Sequence, residues 1–438
     1  MRSKVKNKRD LFILIVLSSF FILYLSRAIW GLVAPISYIR VGQTVAEYQG
    51  GDGIDLEAQA WLNIDIAKAM YESLPINRSR IAIIDSGLAT SAWTYIEANS
   101  KSHVLQYIRC NEVFNLWPPP FFWKWDGTYS VATDPDDPIV TDINGHGTAV
   151  TSILANTLPH AEIIFISIQR GHPSMVEGAL RWVKTNHKAF NIRTVSISTG
   201  ATSDYERFHD EITYLYGNGV TIVCAAGNGG ASETNCYPAG FSETLAIGAH
   251  YDDPDGFLED GTAIREAGNV VTSKRSRQTS EYANSWSSMC GPILDFVVPG
   301  YDIEFLQVSN NDDGEIKFCV GGGTSFSAPL AAAITSWVID AYYCFHSHIE
   351  WDYDSSSCYL FHGCIPHIEH EYPSPETVHL ILSQTAEFYD ATPNTEDRVP
   401  KPKPFGYRIF HPDLFVWNEW VGYGVLDAYD AIILAIVY

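Results

Sequence analysis

The chain has 438 residues, enough to bury a large core as one big domain or two smaller ones. Its 28 Lys and Arg residues against 51 Asp and Glu residues leave a formal net charge of −23. Because binding to a phosphate backbone needs positive charge, this balance argues against nucleic acid as a partner.

The N-terminus, residues 1–33, has the pattern of a targeting segment. Ten residues rich in Lys and Arg precede an uncharged apolar run over residues 11–26, closed by Arg27. The run fits either a signal peptide or a signal-anchor helix that contacts the membrane through residues 11–33, and a buried core helix is a third alternative. The first two alternatives place the rest of the chain outside the cytoplasm, so we expect an extracytoplasmic protein that is secreted or anchored with a cytoplasmic N-terminus.

After a linker over residues 34–54, helical and strand-like stretches alternate along a domain predicted to span residues 55–438. Helical spacing covers residues 56–74, 146–158 and 174–187, and short apolar strands cover 80–85, 161–168, 194–199 and 220–227. Ser174 and Glu177 have capping-box spacing at the start of the third helix. Apolar strands that alternate with helices predict an α/β fold: a three-layer, doubly wound sandwich with a mostly parallel central sheet, preceded here by the hydrophobic N-terminal helix. Functional groups are then expected at the carboxyl ends of the strands.

Three insertions, near residues 88–140, 251–285 and 341–375, interrupt this rhythm and are expected to be surface elaborations. The third is rich in Cys and His, namely Cys344, Cys358 and Cys364 with His346, His348, His362 and His367. These residues fit either disulfides, which an oxidising compartment favours, or a zinc site. Cys224, inside an apolar run, is predicted to be a buried free thiol.

Four polar residues stand where the predicted strands end or helices begin. Asp85 closes a strand, His146 lies between two glycines at a helix start, Asn228 follows a strand, and Ser325 lies between a short buried strand and an apolar helix. Each one alone is common in turns and helix caps. Together they supply the carboxylate, base, oxyanion donor and nucleophile that acyl transfer needs.

These segments resemble those of the subtilisin-like serine proteases. The "DSG" at residues 85–87, the "HGT" at 146–148, the "AAGN" at 225–228 and the "GTSFSAP" at 323–329 are similar to the family's four site motifs, in the same order. "SISTG" at 196–200 resembles the family's substrate-binding strand. The intact "HGT" points away from the related sedolisins, which replace the histidine base with a glutamate.

The resemblance implies a serine endopeptidase that acts on peptides or proteins. Asp85, His146, Asn228 and Ser325 would be catalytic, and the substrate would lie against Ser198, Thr199, Gly200, Ala225, Ala226 and Gly227. A catalytically silent binding module and a transpeptidase on the same scaffold are the alternatives.

We expect no required cofactor and no metal site, because the sequence departs from the family pattern at its usual calcium loop. Ala149 stands where the family usually has a second histidine, and residues 153–163 are too short for its usual calcium loop. The acidic turn at residues 134–137 keeps calcium as a possibility.

Overall fold

An eight-stranded sheet lies at the centre of the computed structural model, in the order β3-β2-β4-β1-β5-β6-β7-β8. Its strands are β1 (Arg80–Asp85), β2 (His103–Asn115), β3 (Phe122–Ala132), β4 (Glu162–Ser167), β5 (Ile192–Ile197), β6 (Thr221–Ala225), β7 (Thr244–His250) and β8 (Phe296–Pro299). The described residues are 64–74, 78–115, 122–200, 206–229, 236–250, 288, 293–301, 303–308, 314–351, 366–386 and 423–438. Neighbouring strands run parallel except for β2 and β3, which are antiparallel.

Helices cover the sheet in two groups. The helices are α1 (Ile64–Glu72), α2 (Thr90–Asn99), α3 (His146–Thr157), α4 (Pro173–Asn186), α5 (Glu206–Tyr216), α6 (Thr324–Phe345), α7 (Pro375–Thr385) and α8 (Ala428–Val437). Helices α3, α6 and α8 pack together, and α4 packs with α5. Strands β1, β4, β5 and β6 are buried almost throughout because both of their faces are covered. The mostly parallel α/β sheet predicted from the sequence is confirmed.

Two small antiparallel hairpins lie outside the main sheet. The first joins β9 (Ile303–Val308) to β10 (Ile316–Gly321), and the second joins β11 (Ser347–Trp351) to β12 (Pro366–His370). The strand before Ser325 is therefore present as β10. It was expected to be buried, but Lys317 and Cys319 on it are at least partly exposed, since among the described strands β10 pairs with β9 alone.

Part of the first predicted insertion extends the central sheet. Strand β2 pairs in parallel with β4, and β3 pairs with β2 at the edge of the sheet. The stretch was expected to be a surface elaboration because its Pro and aromatic residues hide the strand alternation.

The predicted capping box on α4 is wrong. Pro173 occupies the first turn, and the His172 side chain accepts a hydrogen bond from Ser174 N at 3.2 Å. Proline favours the first helical position, which moves the helix start one residue ahead of Ser174. The Ser174 hydroxyl instead accepts a hydrogen bond from Trp125 N at 3.2 Å.

Some sequence predictions lie outside the described residues. These are the N-terminal helix and linker, residues 1–54, and the insertion at 251–285. Within the described part of the chain, no helix combines the length and apolar character needed to cross a bilayer.

Candidate active site

The candidate site lies at the carboxyl edge of the central sheet and begins with Asp85, the last residue of β1. Asp85 is only 2% exposed. Its Oδ1 atom accepts hydrogen bonds from Ser86 N at 2.7 Å and from Nδ1 of His146 at 2.8 Å. A buried carboxylate that accepts from Nδ1 fixes the imidazole in one orientation and leaves Nε2 for proton transfer.

His146 is the first residue of α3. The segment that carries it packs closely against the segment that carries Asp85, and glycines, Gly147 and Gly87, stand at the point of contact. A Cβ atom at Gly147 would overlap the backbone oxygen of Gly87, so both chain segments can come together only if this position has no side chain. The carboxylate of Asp85 raises the pKa of His146, and burial of the ring opposes that effect. A charged imidazolium at this position is thereby stabilised.

Asp142 holds the loop that precedes His146, a role that the sequence analysis missed. Its Oδ1 atom accepts from the Ser86 hydroxyl at 2.8 Å and from Gly145 N at 3.0 Å, and its Oδ2 atom accepts from Thr148 N at 2.8 Å. It also contributes to the raised pKa of His146. The signal that could have found it is an acidic residue just before a predicted helix N-terminus.

Ser325 is the second residue of α6, at the positive end of the helix dipole. Its hydroxyl donates to the backbone oxygen of Ser198 at 3.2 Å, and the Ser198 hydroxyl donates to the backbone oxygen of Ser325 at 2.8 Å. These reciprocal hydrogen bonds join the end of β5 to the start of α6. The ring of the next residue, Phe326, lies 6.2 Å from the His146 ring between centroids, which brings His146 to the same helix end.

The Asn228 side chain is oriented by Thr324. Its Oδ1 atom accepts from Thr324 N at 3.0 Å and from the Thr324 hydroxyl at 3.1 Å. The same hydroxyl accepts from Gly227 N at 3.1 Å. Because the oxygen of the amide accepts from Thr324, its NH₂ group is the donor that has no partner within the described part of the chain and can face a ligand. A Cβ atom placed on Gly323 would lie 3.5 Å from that nitrogen, so the donor faces the backbone just before Ser325.

The predicted substrate residues fall into two groups. Ser198, Thr199 and Gly200 follow β5 at the carboxyl edge, and Gly200 is exposed. Ala225 and Ala226 are buried, at 5% and 0% exposure, behind Asn228. Contact of these alanines and of Gly227 with substrate stays a prediction.

Among the described residues, no group of three or more His, Cys, Asp or Glu side chains is arranged to hold a metal ion. The acidic turn at residues 134–137 uses its carboxylates on its own backbone, since Asp134 Oδ1 accepts from Asp136 N at 2.9 Å and Asp137 Oδ1 from Ile139 N at 3.0 Å.

The cysteine predictions are partly answered. Cys224 is a fully buried thiol, as predicted, and burial raises its pKa well above the usual value. Cys344 is a half-buried thiol, and His346 Nε2 lies 3.1 Å from the backbone oxygen of Ala435. Cys358, Cys364 and His362 lie outside the described residues, so the choice between disulfides and zinc stays open.

A family model and similar curated proteins point to the same family. The family model described as "Subtilase family" matches residues 77–348, more than half of the chain. The chain is 26% identical over 206 residues to the major intracellular serine protease of Bacillus subtilis (strain 168), covering 43% of this chain and 53% of that protein. It is 29% identical over 128 residues to subtilisin BL of Lederbergia lenta, covering 26% and 46%.

Among solved structures, the chain is similar to sphericase, with a TM-score of 0.48 and 17% identity, covering 82% of this chain and 96% of that one. The chain spans about half the length of the two curated relatives named above. The match over residues 77–348 contains Asp85, His146, Asn228 and Ser325. The chain therefore belongs to the subtilase family.

Proposed function

We propose that the protein is a serine endopeptidase that hydrolyses peptide bonds through an acyl-enzyme. The observation that carries this proposal is the 2.8 Å hydrogen bond from Nδ1 of His146 to the buried Asp85, at the helix end that bears Ser325. The curated relatives named as serine proteases support the same reaction class.

The Ser325 hydroxyl is the proposed nucleophile. Its hydrogen bond to Ser198 O is 3.2 Å long, and the proposal requires a change of rotamer that directs the hydroxyl to Nε2 of His146. His146 takes that proton as the oxygen attacks the peptide carbonyl, and it then gives the proton to the leaving amine. Water deacylates the ester by the same route. Asp85 keeps its charge and stabilises the imidazolium.

The oxyanion is proposed to bind the NH₂ group of Asn228 and the backbone N–H of Ser325. Support comes from the Thr324 hydrogen bonds that fix the amide oxygen, because they leave the two N–H donors for the substrate. A donor that is held in place before the reaction costs no reorganisation in the transition state. The substrate would lie extended along Ser198, Thr199 and Gly200, with main-chain hydrogen bonds supplying much of the affinity.

Hydrolysis is tested by incubating the full chain with an unfolded protein and sequencing the new N-termini. We expect fragments from the wild-type chain and none from Ser325→Ala. A folded wild-type chain that binds peptides but releases no fragments would favour the silent binding module. An added amine that captures the acyl group in place of water would favour the transpeptidase.

An extracytoplasmic location is also proposed, on the basis of the targeting pattern in residues 1–33. The relatives include both an extracellular protease, Epr of Bacillus subtilis (strain 168), and an intracellular one. N-terminal sequencing of the mature chain would show whether the segment is removed.

A further inference from the structure

A group of charged side chains lies beside the candidate site, on β2 and on the turn that follows β4. The group consists of Arg109, Glu112 and Arg170, and we call it the β2 charge cluster. It contains two cations and one anion in a chain whose formal net charge is −23. Its local excess of positive charge is opposite in sign to the chain as a whole.

Arg109 is the least satisfied member of the β2 charge cluster. Its Nε atom is buried and has no hydrogen-bond partner among the described residues. Its Nη2 atom donates to Oε1 of Gln169 across 3.5 Å, a long contact with a neutral amide. A guanidinium offers five donors in a planar fork and binds carboxylates with two of them. A partly buried cation with so few acceptors is costly unless a ligand supplies one.

Glu112 does not supply that acceptor. Its Oε1 atom lies 3.4 Å from Nε of Arg170, and its side chain is only 9% exposed against 53% for Arg170. Its Oε2 atom is buried without a hydrogen-bond partner among the described residues. Glu112 therefore has Arg170 as its counter-ion, and the charge of Arg109 is the one left over.

Gln169 is the residue that contacts the Arg109 guanidinium. It is a non-glycine residue with a φ of 51°, in the left-handed region, and it is 6% exposed. Its Nε2 atom donates to the backbone oxygen of Cys110 at 3.1 Å, which orients Oε1 toward Arg109. Left-handed backbone at a non-glycine residue costs free energy and is often found at binding sites.

The sheet register relates Arg109 to the proposed active site. Arg109 on β2 is in register with Ser167 on β4, and Ser167 is in register with Asp85 on β1. Strands are about 4.8 Å apart, so the Cα atoms of Arg109 and Asp85 are separated by about 10 Å. Residues in register on neighbouring strands point to the same face. A Cβ atom on Gly171, two residues after Gln169, would lie 3.7 Å from the Thr199 hydroxyl, so this turn borders the proposed substrate strand.

We propose that Arg109 forms a subsite that binds an acidic side chain of the peptide substrate. The inference rests on the proposed peptidase function for its substrate class. An extended peptide advances about 3.3 Å per residue, so the acidic residue lies within about four residues of the scissile bond. Arg109 binds the carboxylate through its fork, while Arg170 stays paired with Glu112.

The test compares peptides that differ in one residue, Glu or Gln, at each position in turn. Binding is measured by fluorescence anisotropy to the full chain carrying Ser325→Ala, so that the readout does not depend on turnover. At one position we expect Glu to bind about tenfold more tightly than Gln, as a charge-assisted hydrogen bond of about 1.4 kcal/mol would give. The preference should weaken in high salt, because part of the cluster is exposed.

Variants then assign that preference to Arg109. Arg109→Gln should reduce the Glu/Gln ratio to about one, and Arg109→Lys should give an intermediate ratio because the charge stays and the fork is lost. Lys124→Gln, which removes an exposed cation from β3 of the same hairpin, is the matched control and should keep the full ratio. Circular dichroism checks folding, and Arg109→Lys decides the question if Arg109→Gln does not fold.

The proposal is overturned if no position prefers Glu, or if the ratio is the same with and without the Arg109 guanidinium. The same peptides are offered to the chain with Ser325 intact. A Glu preference in binding without any cleavage would contradict the peptidase function and leave the subsite standing. Cleavage without a Glu preference would contradict the subsite and leave the peptidase function standing.

Discussion

Two buried carboxylates, one at each end of the described core, show how the partner of an acidic group decides its role. Asp85 is 2% exposed and Asp340, on α6, is 1% exposed. Asp85 meets an imidazole. Asp340 meets neutral donors, since its Oδ2 atom accepts from the Tyr71 hydroxyl at 2.6 Å and its Oδ1 atom from Ser79 N at 3.0 Å.

The difference in partners has opposite consequences for protonation. At the first site the carboxylate raises the pKa of its neighbour, His146, which can take up the charge. At the second site burial raises the pKa of Asp340 itself to about 6, although the hydrogen bonds from Tyr71 and Ser79 and the charge of Arg78 oppose that effect. The first arrangement suits proton transfer, whereas the second joins α1 and the start of β1 to α6.

The largest expected effect comes from removing the charge of Asp85. We expect Asp85→Asn to lower kcat on the order of 10⁴-fold, because His146 is then held in the wrong tautomer. In the wild type, kcat/KM should fall on the acid side with a midpoint above pH 6.5, since the base must be neutral and Asp85 raises its pKa. In Asp85→Asn that midpoint should move to lower pH. Asp340→Asn is the matched control, and equal losses in the two variants would remove the distinction between the carboxylates.

The next effect concerns the oxyanion donor beside Ser325. Asn228→Ala should lower kcat by about 10²- to 10³-fold with little change in KM, because the donor acts in the transition state. Asn218→Ala is a control, since its amide donates to Tyr214 O at 2.7 Å. A loss confined to KM would indicate that Asn228 binds substrate rather than the oxyanion.

The second carboxylate should appear in stability rather than in turnover. Folded Asp340 binds its proton up to about pH 6, against 3.8 when exposed, so the folded state holds more protons between these values. Its contribution to the free energy of unfolding should therefore fall as pH rises from about 4 to 6, by about 3 kcal/mol. Urea unfolding of wild type and Asp340→Asn across this range measures the difference. A difference that does not vary with pH would show that Asp340 does not titrate there.

The smallest effect is expected from Asp142, which positions His146 through the loop. In Asp142→Asn one carboxylate oxygen is replaced by an NH₂ group, so one of the donors Thr148 N, Gly145 N or the Ser86 hydroxyl loses its acceptor. Loss of one such hydrogen bond should lower kcat about tenfold. It should also lower the acid-side midpoint slightly, since Asp142 contributes to the raised pKa of His146. A purely structural role would leave that midpoint unchanged. Asp136→Asn, at an exposed turn carboxylate, is the control.

The sequence predicts the parallel sheet and the main residues of the site because both depend on short local patterns. Asp85, His146, Asn228 and Ser325 end strands or begin helices, where backbone geometry alone makes a side chain available. Asp142 was missed because it acts through hydrogen bonds to residues on two segments, and its place just before a helix does not by itself reveal those partners. The β2–β3 extension was missed because its Pro and aromatic residues hide the alternation, and the α4 cap because Pro173 outweighs Ser174.

The most direct measurement is covalent labelling of the folded chain with a fluorophosphonate, followed by intact mass and peptide mapping. Since the reagent needs an activated hydroxyl, we expect one added group, on Ser325, no labelling of Ser325→Ala, and much slower labelling of His146→Ala. Labelling on another serine, or none on folded wild-type protein, would contradict the assignment of Ser325 as nucleophile and His146 as its base.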